Sequence, residues 1–258
     1  MQINIIDYLL QFQNQDIIYV PNPGNAGDVL IAYATLQLFD QLNINYQIHN
    51  HTTKFDNKVI LYGGGGNLIN KYGAAQNFLL RNHENNQIIV LPHTVYGIDD
   101  TLKKLSDNVS IICREKISYE YVKTVSNIKE VLLSHDIALL TKIPEIYLGR
   151  KTELSANCFR KDAEKTAIVI PPNNKDYSAL TTFLNYQLNN KDTINYVANV
   201  FLNSLSIFKT INTNRVHIAI AGILLGSNVN LYNNSYFKCQ AIFDHSLKDK
   251  YDNIKFMG

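Results

Sequence analysis

The feature that most constrains the fold is a repeated alternation of short apolar runs with segments of helical spacing. Each apolar run is rich in β-branched residues and ends in a polar or glycine-containing turn, after which the helical segment begins. This order is typical of βαβ units, in which helices cover the faces of a parallel sheet. The sequence therefore predicts an α/β protein built on parallel strands.

Six strands are predicted in the first half of the chain, which is enough for one doubly wound sheet. The predicted strands are Asp16–Val20, Asn45–His49, Lys58–Tyr62, Gln87–Leu91, Val109–Cys113 and Glu130–Leu133. The predicted helices are near Asp28–Leu42, Ala74–Arg81 and Glu115–Lys123.

The pattern weakens between about residues 140 and 165, where Pro144, Gly149 and a cluster of charges predict a linker. Beyond it the predicted strands are Thr166–Ile170 and Asn228–Tyr232, and the predicted helices are Tyr177–Leu188, Tyr196–Phe208, Arg215–Leu225 and Tyr236–Leu247. We therefore expect two Rossmann-like lobes, residues 1–145 and a smaller lobe of residues 146–258. Two such lobes normally bind a ligand in the central cleft, at the carboxyl ends of strands.

The charge balance bears on the partners. The 258 residues include 24 Lys+Arg and 22 Asp+Glu, which gives a formal net charge of +2. Such a chain has no bulk field to hold a nucleic-acid backbone or an anionic bilayer. We expect no nucleic-acid partner.

The cysteines and the first segment indicate the compartment. Cys113, Cys158 and Cys239 are far apart and lack the spacing of metal ligands, which suits reduced thiols in a cytosol and makes a zinc site unexpected. Residues 1–16 have no basic region before their apolar stretch, so they predict an amphipathic helix instead of a signal peptide. No run approaches 18 apolar residues. We expect a cytoplasmic protein.

A glycine-rich turn follows the first predicted strand and opens a helix. Gly24 and Gly27 allow a sharp turn and a close approach of the backbone to a ligand, and the helix N-terminus favours an anion. Asn25 and Asp28 are good capping residues. The alternative is therefore a capped turn that binds nothing.

A run of four glycines, Gly63–Gly66, comes directly after the strand Lys58–Tyr62 and is followed by Asn67. Four glycines lose much chain entropy on folding, so a merely decorative turn is a poor explanation. The run, including Gly64 and Gly65, predicts close approach of the backbone to a ligand or to the other lobe. A flexible linker is the alternative.

Arginine occurs at two further element boundaries. Arg114 directly follows a predicted strand, where its guanidinium can hold a carboxylate or phosphate and Ser118 can add a hydrogen-bond donor. The alternative is an exposed helix start. Arg215 and His217 head an apolar helix, where polar groups must face a partner or a ligand. Near a bound anion His217 can serve as a general acid, and the alternative is a capping histidine.

The remaining polar positions carry weaker signals. Tyr236 and Lys238 follow the last predicted strand, and Arg160 either contacts an anion or pairs with Asp162. The consecutive residues Ser134, His135 and Asp136 cannot face one another as a catalytic triad. His93 follows a strand end and is interpreted as a structural histidine.

Taken in order, these motifs resemble the polysaccharide pyruvyl transferase family, from about Pro21 to Leu247. The motifs are GNAGDVLI from Gly24, GGGGNL from Gly63, CREKIS from Cys113, FRKD from Phe159, NRVHIAIAG from Asn214 and NNSYFK from Asn233. The resemblance implies a two-lobed fold of the GT-B type. It also implies transfer of the pyruvyl group of phosphoenolpyruvate to sugar hydroxyls as a ketal, during capsule, exopolysaccharide or cell-wall polymer synthesis.

The resemblance also assigns roles. His217 is expected to be the acid, Arg215 and Arg114 are expected to hold phosphoenolpyruvate, and Asp28 is expected to accept a proton from an acceptor hydroxyl. The expected substrate-binding residues also include Gly24, Asn25, Gly27, Gly64, Gly65, Asn67, Ser118, Tyr236 and Lys238. Neither a cofactor beyond the substrate phosphoenolpyruvate nor a metal is expected.

The expected partner is a saccharide acceptor, either lipid-linked or polymeric, which would bring the chain to the inner face of the membrane. A homo-oligomer and a peripheral association with the membrane assembly machinery both stay open. A nucleotide-sugar-dependent GT-B glycosyltransferase is the rival enzyme. A non-catalytic scaffold in a polysaccharide assembly complex is the rival outside the enzymes.

Overall fold

The computed structural model describes residues 1–179 and 188–258. Eleven strands in this part of the chain form two parallel sheets. The first sheet contains β1 (Ile17–Val20), β2 (Tyr46–Ile48), β3 (Val59–Tyr62), β4 (Gly65–Ile69), β5 (Gln87–Tyr96), β6 (Val109–Cys113) and β7 (Glu130–Leu133). The second contains β8 (Glu153–Cys158), β9 (Phe208–Thr213), β10 (Asn228–Leu231) and β11 (Ile254–Phe256).

The first sheet has the order β2-β1-β3-β5-β6-β7, and β4 also pairs with β5. The second has the order β11-β10-β9-β8. All the strand pairings within these two sheets are parallel. Strand β1 is buried along its whole length, as expected for a parallel strand covered on both faces.

Eight α-helices accompany the strands in the described part. They are α1 (Ile5–Leu9), α2 (Ala26–Gln41), α3 (Ala74–Asn82), α4 (Asp99–Leu102), α5 (Lys116–Val125), α6 (Lys191–Ser206), α7 (Val216–Leu224) and α8 (Lys238–Ile242). A π-helical turn, Phe243–Leu247, continues α8. None of these helices is long and apolar enough to cross a membrane.

Helix α2 packs in a hydrophobic core that both sheets share. It is buried on nearly all sides, as its continuous apolar sequence requires, and it packs against α6 and α7. One hydrophobic cluster contains residues of β1, α2, α6, α7 and β9. The N-termini of α2 and α7 are thereby brought to the same region.

The α/β class and the parallel sheets are confirmed. The six strands predicted in the first half are all present, and β4 is a seventh that starts within the glycine run. The boundary between the sheets falls between Leu133 and Glu153. The two lobes, 1–145 and 146–258, and the GT-B arrangement stay predictions.

Two predictions in the second half are wrong. No strand forms at Thr166–Ile170, where Val169 is 89 % exposed. The linker region instead contains β8, an edge strand in which only Ala156 and Cys158 are buried, so its apolar signal is weak. The predicted helix Tyr177–Leu188 falls mostly on residues outside the described part.

Strands β9 and β11 were not predicted. Polar residues occupy four of the six positions of β9, and only Phe208, Ile211 and Thr213 are buried. The strand therefore lacks the continuous apolar run of a fully buried parallel strand. Strand β11 is only three residues long, so it gives no periodic signal.

Candidate active site

A cavity of about 400 Å³ lies where loops from both sheets meet. Its wall includes the turn after β1, the glycine-rich start of β4 and the beginning of α3. The segment after β8 and the first residues of α7 and α8 complete it. Carboxyl ends of parallel strands are the usual place for a ligand in an α/β protein.

The glycine-rich turn both caps α2 and lines the cavity. The side chain of Asn25 accepts from the backbone N–H of Gly27 at 2.8 Å, and Oδ2 of Asp28 accepts from the backbone N–H of Asn25 at 3.0 Å. This reciprocal pair is a capping box. The capping roles of Asn25 and Asp28 are confirmed, and Gly24, Asn25, Gly27 and Asp28 also line the cavity.

The environment of Asp28 raises the pKa of its carboxyl. Burial is the main cause, and the charges of His217 and Arg114 oppose it. Oδ1 also accepts a hydrogen bond of 3.2 Å from Nδ2 of Asn22. A carboxylate with a raised pKa is a better proton acceptor near neutral pH, which agrees with the role expected for Asp28.

Gly27 allows His217 to lie directly against the turn. A Cβ at Gly27 would be 2.7 Å from both Cβ and Nδ1 of His217, which is closer than packed atoms tolerate. At Gly24, a Cβ would meet the carboxylate of Asp28. The two glycines therefore serve close packing inside the site.

Replacing Gly27 by alanine is expected to lower the free energy of unfolding by about 2 kcal/mol. Overpacking costs up to about 3 kcal/mol, and the better helix propensity of alanine returns about 1 kcal/mol. Chemical denaturation measures the difference. In the control, Gly73→Ala, the new Cβ would lie 3.5 Å from its nearest neighbour, Nδ2 of Asn77, so the loss should stay below about 1 kcal/mol. Equal losses in the two variants would contradict the packing argument.

The glycine run approaches the protein itself. A Cβ at Gly64 would be 2.8 Å from the carbonyl oxygen of Pro92, and one at Gly65 would be 2.3 Å from Nδ2 of Asn22. Gly66 lines the cavity, and a Cβ there would be 2.6 Å from NH2 of Arg114. The flexible-linker alternative is wrong, because part of the run is strand β4.

Asn67 joins the glycine run to the α2 turn. Its Nδ2 donates to the carbonyl oxygen of Pro23 at 3.3 Å, and its Oδ1 lies 3.1 Å from Nε2 of His93. His93 is fully buried, and burial together with the charge of Arg114 lowers its pKa to about 3. His93 is thus a neutral structural histidine, as predicted, whereas Asn67 lines the cavity.

Arg114, Asp136 and His217 form a closed group beside the cavity. NH1 of Arg114 donates to Oδ2 of Asp136 at 2.7 Å, and Nε2 of His217 lies 3.2 Å from the same oxygen and 3.1 Å from NH1. Nε of Arg114 donates to Oγ1 of Thr94 at 2.8 Å. Arg114 is 1 % exposed and lies behind Gly66, outside the cavity wall.

Asp136 supplies the negative charge of this group. Burial would raise its pKa, but Arg114 and His217 hold it well below its usual range. Its role was not predicted, because only its neighbours Ser134 and His135 were considered as its partners. The signal that could have found it is its position just after β7, at the carboxyl edge of the parallel sheet.

Arg215 is the N-cap residue of α7, and it lines the cavity together with Asp162. Its NH2 donates to Oδ2 of Asp162 at 2.8 Å and also to Asp176. Its Nε is buried and has no hydrogen-bond partner among the described residues. Arg160 holds Asp162 through two bonds, of 2.7 and 3.0 Å, so the pairing alternative for Arg160 is confirmed.

Glu164 is the second buried acidic centre at the cavity. It accepts from Lys238 at 2.5 Å, from Arg160 at 2.6 Å and from Tyr72 and Asn234 at 3.0 Å each. Burial would raise its pKa, but Lys238 and Arg160 lower it to about 2. Burial lowers the pKa of Lys238 against the pull of Glu164. Lys238 therefore lines the cavity as half of an ion pair.

Five of the predicted site residues lie outside the cavity wall, namely Arg114, Gly64, Gly65, Ser118 and Tyr236. The hydroxyl of Ser118 pairs with Glu115 and accepts from the backbone N–H of Val95. The ring of Tyr236 contacts Lys238, 5.2 Å from Nζ to the ring centre. Its hydroxyl is buried and has no partner among the residues that the structure describes.

The cavity wall also contains residues that were not predicted. These are His51, Tyr72, Gly73, Ala74, Glu164, Ser178, Ile218 and others near them in the chain. Tyr72 and Ala74 belong to the loop after β4 and the start of α3, positions that a correct prediction of β4 would have indicated. Within residues 1–179 and 188–258, no group of three or more His, Cys, Asp or Glu side chains is placed to hold a metal ion.

Comparisons with known proteins agree with the motifs. The family model described as polysaccharide pyruvyl transferase matches residues 25–236. A Bacillus subtilis (strain 168) protein named "Putative pyruvyl transferase EpsO" is 28 % identical over 145 residues, 49 % of this chain and 45 % of that protein. The chain thus matches less than half of that relative.

A solved structure is similar over nearly the whole chain. It is the crystal structure of a functionally uncharacterized protein from Klebsiella pneumoniae subsp. pneumoniae NTUH-K2044, which is 30 % identical. The alignment covers 98 % of this chain and 97 % of the other, with a TM-score of 0.83. Since the family model spans most of the sequence, the chain belongs to the polysaccharide pyruvyl transferase family.

Proposed function

We propose that the chain is an enzyme that transfers the pyruvyl group of phosphoenolpyruvate to two hydroxyls of a sugar. The product is a cyclic pyruvate ketal in a bacterial capsule, exopolysaccharide or cell-wall polysaccharide. The observation that carries the proposal is the cavity wall itself, which brings together Asp28, Arg215, His217 and Lys238. A carboxylate, a histidine and two cations are the groups that this reaction needs.

Phosphoenolpyruvate carries a carboxylate and a phosphate on a three-carbon skeleton, so its binding requires at least two cationic contacts. Arg215 is the first, because it lines the cavity and its buried Nε has no partner among the described residues. Lys238 is the second, since it lines the cavity at the start of α8. Arg114 supports the site from behind Gly66.

Carboxylates already form ion pairs with Arg215 and Lys238. Asp162 and Asp176 hold Arg215, and Glu164 holds Lys238. An anionic substrate therefore competes with these carboxylates for the two cations. We propose that phosphoenolpyruvate takes the place of Asp176 on Arg215, because Asp162 is held by Arg160 as well.

Replacing Asp176 by asparagine is expected to tighten phosphoenolpyruvate binding about tenfold, equal to about 1.4 kcal/mol. The amide removes one negative charge that competes with the substrate for Arg215. Isothermal titration measures the change. The control, Asp107→Asn, makes the same charge change in an exposed ion pair with Lys129 and should leave the affinity unchanged. Unchanged or weaker binding in Asp176→Asn would contradict the displacement.

The proposed reaction begins with a proton transfer from His217 to the methylene carbon of phosphoenolpyruvate. The neighbouring carbon becomes oxocarbenium-like, and a sugar hydroxyl adds to it. Phosphate then leaves, and a second hydroxyl closes the ketal. Of the two protons that the hydroxyls release, the first passes through Asp28 to the departing phosphate and the second restores His217.

Asp28 is proposed to accept a proton from the attacking hydroxyl, since it lines the cavity and its pKa is raised. The turn of Gly24, Asn25 and Gly27 shapes this wall, and Asn67 completes it. The acceptor is proposed to be a saccharide, either lipid-linked or polymeric, met at the cytoplasmic face of the membrane.

The test is a pair of titrations of the purified chain, with phosphoenolpyruvate and with a uridine diphosphate sugar. We expect micromolar-to-millimolar binding of phosphoenolpyruvate and none of the nucleotide sugar. The reverse result would favour a glycosyltransferase and overturn the proposal. If neither ligand binds, alone or with added saccharide acceptors, the result would favour the non-catalytic scaffold.

A further inference from the structure

The two ring nitrogens of His217 have different surroundings. Nε2 faces the ion pair of Arg114 and Asp136, whose side chains are each 1 % exposed. The single oxygen Oδ2 of Asp136 serves both neighbours, at 2.7 Å from Arg114 and 3.2 Å from His217. The other oxygen accepts from the backbone N–H of Ala138 at 2.9 Å, which fixes the orientation of the carboxylate.

Nδ1 lies on the other edge of the ring, beside Gly27. It makes no hydrogen bond to any of the described residues, whereas Nε2 has two polar neighbours. His217 and Gly27 both line the cavity. Nδ1 is therefore the ring nitrogen that is left for a ligand of the cavity.

On the basis of the proposed function, we propose that Asp136 is a positioning residue that holds the Nε2 proton of His217, so that the proton given to phosphoenolpyruvate leaves from Nδ1. In this step the N–H bond at Nδ1 breaks and a C–H bond forms at the methylene carbon. The electron pair of the broken bond stays on Nδ1. The neutral ring that remains carries its proton on Nε2 and donates a hydrogen bond from there to Asp136.

Charge supports the same role. As the general acid, His217 gives up a proton while it lies next to the fixed positive charge of Arg114. Asp136 and Asp28 are negative groups near His217 in the described part of the chain, and His93 is neutral near pH 7 because its pKa is about 3. Removal of Asp136 leaves less negative charge to offset Arg114 around the protonated ring.

The first test uses the unaltered chain and needs no substrate. Long-range ¹H–¹⁵N spectra of histidine-labelled protein distinguish the two neutral tautomers, and His217→Gln identifies the signals of this residue. We expect the neutral ring of His217 to carry its proton on Nε2. A neutral ring protonated on Nδ1 would overturn the inference.

The second test is Asp136→Asn, which keeps the shape and removes the charge. We expect the alkaline limb of the pH profile of phosphate release to move to lower pH by at least one unit, because the variant lacks the negative charge beside the protonated ring. A loss of activity at all pH values without this shift would show a structural role and overturn the inference. Asp107→Asn is the charge-matched control and should leave the pH profile unchanged.

The outcomes separate this inference from the proposed function. If phosphoenolpyruvate binds and the neutral ring is protonated on Nδ1, only the role of Asp136 fails. If phosphoenolpyruvate binds neither alone nor with added saccharide acceptors, the proposed function fails whichever tautomer is seen. The spectra of the unaltered chain distinguish the two tautomers even where Asp136→Asn does not fold.

Discussion

Replacing Arg215 by alanine is expected to weaken phosphoenolpyruvate binding by at least about 100-fold, or about 2.7 kcal/mol. Arg215 is the cavity-lining guanidinium, it is 9 % exposed, and its Nε has no partner among the described residues. Breaking a charge contact in such a desolvated place costs far more than at an exposed surface, where screening removes most of the attraction. Isothermal titration with phosphoenolpyruvate measures the loss.

Two further variants interpret that loss. Arg215→Lys keeps the charge but has a single donor group, so we expect affinity between those of the unaltered chain and the alanine variant. Arg150→Ala removes an exposed arginine whose NH1 donates to Asn203, and it should leave the affinity unchanged. If Arg215→Ala kept its affinity, the anion would bind elsewhere. If Arg150→Ala lost as much, the effect would come from net charge.

The α2 turn and the head of α7 were predictable because local chemistry determines them. Asn25 and Asp28 are residues that favour capping positions at a strand-to-helix turn, and they form the capping box of α2. An arginine and a histidine at the start of an otherwise apolar helix must face a polar partner, and Arg215 and His217 do. These features can be predicted from residues that lie within a few positions of each other in the sequence.

The partners of those residues were not predictable, since they come from distant segments. Asp136 lies 81 positions before His217, and Asp176 lies 39 positions before Arg215. Single carboxylates after strands leave no periodic pattern in a sequence. Glu164 is a further example, because it lies in the segment interpreted as a linker and its main partner, Lys238, is 74 positions away.

The same reasoning explains why only one of two arginines has its expected place. The family resemblance implied that Arg114 and Arg215 both hold the substrate, and both stand at element boundaries. In the structure Arg114 is enclosed by Thr94, Asp136 and His217, whereas Arg215 lines the cavity. Whether an arginine at a strand end reaches a cavity depends on which segment covers it, and here Gly66 covers Arg114.

Replacing His217 by glutamine is expected to lower the rate of phosphate release by about 100- to 10,000-fold, the usual contribution of a positioned general acid. Phosphoenolpyruvate binding should weaken far less, by at most about tenfold, because only the charge of the imidazolium is lost while Arg215 and Lys238 keep theirs. The measurement is phosphate release from phosphoenolpyruvate, with the saccharide from an acceptor panel that gives the fastest release by the unaltered chain.

The separation of rate from binding is what makes this prediction specific to proton transfer. A residue that only shaped the cavity would change both quantities together, whereas an acid acts on the bond-forming step alone. His49→Gln is the matched control: His49 contacts Phe55 and lies outside the cavity wall, so neither quantity should change. Full activity in His217→Gln would show that another group donates the proton. Asp28, whose pKa is raised, would then be the next residue to replace. Equal losses of rate and affinity would instead make His217 a binding residue.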